Sequence, residues 1–428
     1  MICTSGQTNM EKKIVLLLLP FILISCNGLG SKRVKNIVEL TPKLEIQTNE
    51  PIYLDSNAKV YQFNVNMLKN KQYSFAKSKI ITEPVFIGDM IYVLDIRSNI
   101  SAFSIEKNKV IWSYNLSKHK KDNYIGGGIL YHNGKLYITY GARLLIVLDA
   151  KSGYEIIRKE LPDIIRIKPI ALNNNTILVQ TISNQTIALD SATLKTLWDH
   201  ESIAEILSAS YSMIPIVQHD NVIVTYNTGQ VIALNIKNGE VRWSFEFTNL
   251  NDHTAIPNFD AASILCAPVH DNMNLYIATG LGKLIKLNLL TGSVLWQINA
   301  DDIQSMALIG NNLFIINNAR QIAALNPETG QVQFVADLNY EKDDKRLKPT
   351  TFLVPFVGVD NNNQQSLNVI SVNGILYSFN IDNNVLKMNP NIIQIMKNIR
   401  YYGLRSNNTL YFSTDRKVIF GSKINMHR

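Results

Sequence analysis

One eleven-residue unit recurs along the chain, and no other feature narrows the fold as much. Its clearest copies read Ala-Leu-Asn-Ile-Lys-Asn-Gly-Glu-Val-Arg-Trp, beginning at Ala233 and ending on Trp243, and Lys-Leu-Asn-Leu-Leu-Thr-Gly-Ser-Val-Leu-Trp, beginning at Lys286 and ending on Trp296. Five more follow the same ruler: from Ala102 to Trp112, from Val147, from Ala188 to Trp198, from Ala324 with Phe334 in the last position, and from Ser378, the most eroded, to Met388. Successive starts lie 38 to 54 residues apart, which brackets the roughly 40 to 50 residues of a four-stranded propeller blade. Such a period outranks local assignment, because each unit can bury its apolar faces only against its neighbours.

One period is legible in detail. Residues 222–226 alternate as a strand, Asn227-Thr228-Gly229 turns the chain, and residues 230–234 return as the antiparallel neighbour. Asn238-Gly239 supplies a second turn with ready access to positive φ, and residues 240–245 form an outer strand. A short inner strand near residues 214–217 precedes the hairpin. An eighth unit begins at Tyr401-Tyr402-Gly403, continues through strands at 409–413 and 418–421, and ends without an outer strand. The segment Val60-Tyr61-Gln62-Phe63-Asn64-Val65 is expected to supply it by antiparallel pairing, closing the ring and removing exposed edges. The expected fold is all-β, an eight-bladed β-propeller of four-stranded antiparallel blades over residues 51–428, with seven blades the alternative. Trp112, Trp198, Trp243 and Trp296, all the tryptophans of the chain, each end a copy of the unit. They read as a structural device filling the space between blades; a cofactor cage would gather them in one place.

The N-terminus reads as an address. From Met10, the expected translation start, Glu11-Lys12-Lys13 precede an apolar run over 14–24 and then Ser25-Cys26, the layout of a secretory signal. The run is short for a bilayer span. Leu23-Ile24-Ser25-Cys26 resembles the bacterial lipobox, which implies removal of residues 1–25, lipidation of Cys26 (palmitate among the acyl chains), and a tether over 26–50. At about 0.8 kcal/mol per buried methylene, several chains together make a lasting anchor. Asn27 is not the aspartate associated with inner-membrane retention, so the periplasmic face of the outer membrane is the expected location.

Composition closes other routes. A net charge of +8 is carried by scattered groups, such as Lys118, Lys120 and Lys121, or Lys342, Lys345, Arg346 and Lys348 interrupted by Asp343 and Asp344. These read as solvated loop charges, and no nucleic-acid partner is expected. Cys3, Cys26 and Cys266 lack zinc or redox spacing, and the seven histidines show no ligand pairing. Cys266, in an apolar strand, reads as a buried small hydrophobe. Gly126-Gly127-Gly128 precedes a strand, where a phosphate loop would precede a helix.

The pattern Ala-x-Asp/Asn-x-x-x-Gly-x-x-x-Trp resembles the repeat of the pyrroloquinoline-quinone (PQQ) dehydrogenase superfamily. With the lipidated cysteine, a short linker and eight blades, the whole chain is similar to the BamB family of lipoproteins. That resemblance implies a non-enzymatic scaffold of the outer-membrane β-barrel assembly (BAM) machinery. Such a scaffold binds the POTRA domains of BamA and other BAM subunits through inter-blade loops, and reaches unfolded outer-membrane-protein clients. By position, Ile206 and Leu207 in the loop Glu205-Ile206-Leu207-Ser208-Ala209-Ser210 correspond to apolar contacts, and Asp260 in Asn258-Phe259-Asp260-Ala261 to a polar one. The arginine usual in the first loop has no counterpart between Glu205 and Pro215.

Two other readings stand beside this one. A PQQ-dependent dehydrogenase would need a calcium site, a carboxylate base and aromatic stacking on the quinone. Asp149, Asp190, Glu240 and Glu328 instead fall in turns and outer strands, and that group's adjacent cysteine pair is missing; no metal or cofactor is expected. A periplasmic propeller that binds another protein or the cell wall would differ only in the two loops.

Overall fold

The computed structural model describes residues 43–48, 51–54, 58–63, 65, 72–117, 126–202, 213–226, 228–247, 264–339, 350–360, 362–396, 398–404 and 410–420, all within the compact unit Asn36–Arg428. They form eight sheets, in each of which the consecutive strands of one repeat are antiparallel neighbours. Blade 4 shows the pattern: Ile216–Gln218 inside, then Asn221–Thr225 and Gln230–Asn235, with Val241–Glu246 outside. Blades 1, 2 and 3 run from inner strands Val85–Ile87, Gly128–His132 and Ile170–Asn173 to outer strands Lys109–Asn115, Glu155–Glu160 and Thr196–Glu201. Blades 5, 6 and 7 run from Val269–His270, Ile303–Ile309 and Phe356–Val359 to Val294–Asn299, Val332–Asp337 and Val385–Gln394.

The two middle strands of each blade are covered on both faces and therefore read as near-continuous apolar runs, as in the wholly buried Asn312–Asn317. Eight clusters of buried side chains follow, one for every joint between neighbouring blades. The cluster of Ile80, Ile91, Val93 and Phe103 with Tyr411 and Val418 joins blade 8 to blade 1. The ring is thus closed by eight blades, as the repeat predicts, and the seven-blade alternative falls.

Closure uses a different strand from the one expected. Blade 8 comprises Ile399–Leu404, Leu410–Thr414 and Val418–Phe420, and its outer position is taken by Gln72–Tyr73 (β2), antiparallel to Val418–Phe420. The earlier strand Val60–Gln62 (β1) runs parallel to Phe356–Val359 instead and adds a fifth, innermost strand to blade 7. Both segments carry alternating aromatics, so alternation alone could not choose between them. What decides is Phe63, whose ring packs 5.3 Å from Phe356 and 5.9 Å from Phe412, in the buried joint between blades 7 and 8.

The repeat unit has a physical rationale. Its Asp or Asn opens the turn between the third and outer strands: Asn288 Oδ1 accepts the Leu290 and Thr291 N–H groups, and the Asn288 carbonyl accepts Gly292 N–H at 2.8 Å. Gly292 has φ +71°, and a Cβ there would lie 2.5 Å from the indole of Trp243 in the preceding blade. That indole donates Nε1–H to the Leu289 carbonyl at 3.0 Å. Trp112, Trp198 and Trp296 do the same to Ala150, Ile236 and Pro327, over Gly153, Gly239 and Gly330. Each tryptophan therefore clips its blade to the turn of the next, and the glycine is what lets the ring sit flat on that turn.

Candidate partner-binding site

Outer strands end, and inner strands begin, at the end of the ring opposite the clip turns, and the predicted contact loops bridge blades there. Ile206 and Leu207 connect Thr196–Glu201 to Ile216–Gln218, and Asp260 connects Val241–Glu246 to Val269–His270. All three, like Cys26, lie outside the described residues. The roots of both loops are described, and they are tied together. Gln230, at the start of the third strand of blade 4, accepts from Ser202 Oγ through its carbonyl oxygen and donates its amide to Glu246 Oε1 at 2.7 Å. Ser202 N–H donates to the Asn184 carbonyl at 3.1 Å. On the second root, Phe247 is buried and packs edge-on to Phe245 at 5.1 Å.

The return arms flank an open apolar hollow. A cavity of about 470 Å³ lies between the inner strands of blades 4 and 5, lined by Met213, Ile214, Pro215, Val217, Pro268 and His270 among others. Ile214 is 46% exposed and Val217 38% exposed, so the hollow presents apolar side chains to solvent. Pro268 and His270 also line a second cavity of about 380 Å³, bounded by the inner strands of blades 5 to 8 and by Lys59 and Tyr61 of the β1 region. Proline stands immediately before the inner strand in five blades, at Pro84, Pro169, Pro215, Pro268 and Pro355. Lacking an N–H, it blunts the inner edge without disturbing the ladder behind it. Gln230, Ile214 and Val217 were not singled out from sequence; the proline rhythm was the available signal for the rim.

The remaining polar candidates resolve into structural roles. Asp149 and Asp190 cap turns: the Ser152 and Thr193 hydroxyls and N–H groups donate to them and hold both carboxyls below the usual range. Glu328 accepts from Lys286 at 2.9 Å across the joint between blades 5 and 6. Burial pushes the Cys266 thiol up to about 12, which keeps it protonated and weakly nucleophilic. The site therefore offers an apolar rim, rigid loop roots and no activated nucleophile at that cysteine. That arrangement suits shape-based binding of another polypeptide.

Comparison with known proteins agrees with this architecture. Residues 96–336 match the family described as outer membrane protein assembly factor BamB. An uncharacterized protein of Rickettsia prowazekii is 90% identical over 415 residues, covering 97% of this chain and all of that one. Outer membrane protein assembly factor BamB of Yersinia pestis is 20% identical over 317 residues, 72% of this chain and 76% of that one. The crystal structure of BamB from Moraxella catarrhalis superposes with a TM-score of 0.64 at 17% identity, covering 82% of this chain and 98% of that chain. With the repeat, the eight blades and a match across more than half its length, the chain belongs to the BamB family of PQQ-repeat propellers.

Proposed function

We propose that the protein is a lipid-anchored, non-enzymatic scaffold subunit of the outer-membrane β-barrel assembly machinery, held at the periplasmic face of the outer membrane through Cys26. In this reading it binds the POTRA domains of BamA through the loops carrying Ile206, Leu207 and Asp260, and thereby aids folding and insertion of outer membrane proteins. The observation that carries the reading is the convergence of the family match with one apolar hollow lined by the residues that follow both loops in sequence, where Ile214 and Val217 are exposed. Apolar contacts in a fully desolvated centre, ringed by polar groups, carry most of the energy of such interfaces. The rigid roots at Gln230 reduce the ordering cost that loops bring to binding.

The test is an affinity pull-down of the tagged protein from detergent-solubilised envelopes, comparing wild type with Leu207→Asp and Val217→Asp and identifying partners by mass spectrometry. BamA should be recovered with wild type and lost, by tenfold or more, with either variant. Recovery of BamA with all three proteins would keep the scaffold and reject the loop face. Recovery of no assembly subunit with wild type would overturn the assignment in favour of a propeller serving another periplasmic protein or the cell wall.

A further inference from the structure

The tryptophan clip is missing where the N-terminal segment crosses the ring. The four indoles serve the joints between blades 1 and 2, 3 and 4, 4 and 5, and 5 and 6. Blade 2 has Ile157 in place of tryptophan, yet Tyr137 still donates its hydroxyl to the Ser191 carbonyl of blade 3 at 2.7 Å, as Tyr92 does to Ala150 beside Trp112. Blade 6 carries Phe334, which has no N–H and meets Phe379 edge-on at 5.9 Å. The facing turn of blade 7 has changed too: Asn383 and Asn384, at φ 49° and 64°, make a two-residue connection between Ile375–Asp382 and Val385–Gln394.

The N-terminal segment occupies that joint. Leu54 N–H donates to the Asn384 carbonyl at 2.9 Å, and Leu386 N–H donates to the Ile52 carbonyl at 3.1 Å. Asn312 Nδ2 of blade 6 donates to the Tyr53 carbonyl at 2.9 Å, so three consecutive residues span both blades. Ile52, Leu54 and Ala58 are buried in the same cluster as Phe314, Phe334 and Tyr377. On one side the segment is fastened to blade 6, where Gln47 N–H meets the Val332 carbonyl of the outer strand at 2.8 Å and Leu44 exchanges hydrogen bonds with the side chain of Gln321 in the third strand. On the other it continues as β1 along blade 7, and Phe63 enters the joint with blade 8.

We infer that residues 43–48, 51–54 and 58–63 act as a clasp, substituting backbone hydrogen bonds and buried Ile52 and Leu54 for the tryptophan clip, and that release of this clasp opens the ring first between blades 6 and 7. Where other turns receive an indole N–H, the shortened turn of blade 7 receives the amide of Leu54, at the carbonyl of Asn384. The exchange changes what the joint depends on: a clip belongs to its own blade, whereas the clasp belongs to a segment remote in sequence and is lost when that segment detaches.

The test uses the full chain and hydrogen exchange read by mass spectrometry. Tyr53 and Val385 face each other as a non-hydrogen-bonded antiparallel pair, the geometry in which side chains approach closely enough for a disulfide. Tyr53→Cys with Val385→Cys should therefore oxidise, and exchange in Gln365–Ile370 and Ile375–Asp382 should slow at least threefold, reverting with reductant. Ile52→Asp with Leu54→Asp should speed exchange in the same strands at least tenfold while Thr176–Gln180 and Asn221–Thr225 stay unchanged. A disulfide that forms without slowing blade 7 would overturn the inference. So would an Asp variant that loosens all blades alike. Because the disulfide arm stands alone, failure of the Asp variant to fold leaves the inference exposed to it.

Discussion

At the residue scale, the chain contains its own control for the glycine and tryptophan pair. Wherever a blade ends on tryptophan, the next blade has glycine in the turn: Trp112 with Gly153, Trp198 with Gly239, Trp243 with Gly292, Trp296 with Gly330. After Ile157, which is no tryptophan, that position is Leu194, held at φ 55° and buried. Positive φ is thus tolerable without glycine in this turn, and the close indole is what excludes a Cβ. Gly292→Ala should accordingly cost about 1–3 kcal/mol through overpacking and backbone strain. In a Trp243→Leu background most of the steric part should vanish, leaving a coupling of about 1 kcal/mol or more in a double-mutant cycle measured by urea denaturation. Strict additivity would mean that the glycine serves conformation alone.

At the element scale, the eroded seventh unit shows what a strand pair does when the clip is gone. Its turn shortens to Asn383-Asn384, both at positive φ as a type I′ connection demands, and its outer strand Val385–Gln394 becomes the longest among the described residues. The clasp uses only the carbonyl of Asn384, so Asn384→Gly should keep the thermal midpoint within a degree or two, whereas Asn384→Val, β-branched in the left-handed region, should cost about 1–2 kcal/mol. A large loss with glycine would show that the asparagine side chain matters.

The same element marks the limit of sequence reasoning. Blades 1 to 6 were legible because most copies keep Asx, glycine and aromatic positions that follow from turn geometry and packing. The path of the described residues between 43 and 63 was not, because the backbone amides of Leu54 and Gln47 donate to backbone carbonyls, which leave no residue-type signature. Likewise the loop roots at Ser202 and Glu246 were placed by counting strands, but their link through Gln230 depends on a side-chain reach that periodicity does not encode.

At the scale of the whole molecule, eight joints of one general design are held by three different means: indole clips, tyrosine hydroxyls and the N-terminal segment. Blade 8 leans on tyrosines, with Tyr401 donating to the Ile81 carbonyl at 2.8 Å, Tyr402 to Val354 at 2.6 Å and Tyr411 to Pro84 at 3.1 Å. Burial holds all three phenols above their ordinary pKa, so they remain donors well into the alkaline range.

The unequal placement of the indoles makes the ring optically lopsided. Every tryptophan reports from the arc of blades 1 to 6, while the arc of blades 7 and 8 carries tyrosine and phenylalanine only. Intrinsic fluorescence excited selectively at the indole is therefore blind to the segment where the ring is sewn shut. Far-ultraviolet circular dichroism weighs all eight sheets together. If the dark arc loosens first on heating, the dichroism transition will begin below the fluorescence transition, and the gap between the two curves will measure how far one side of the ring unravels while the other still glows as native.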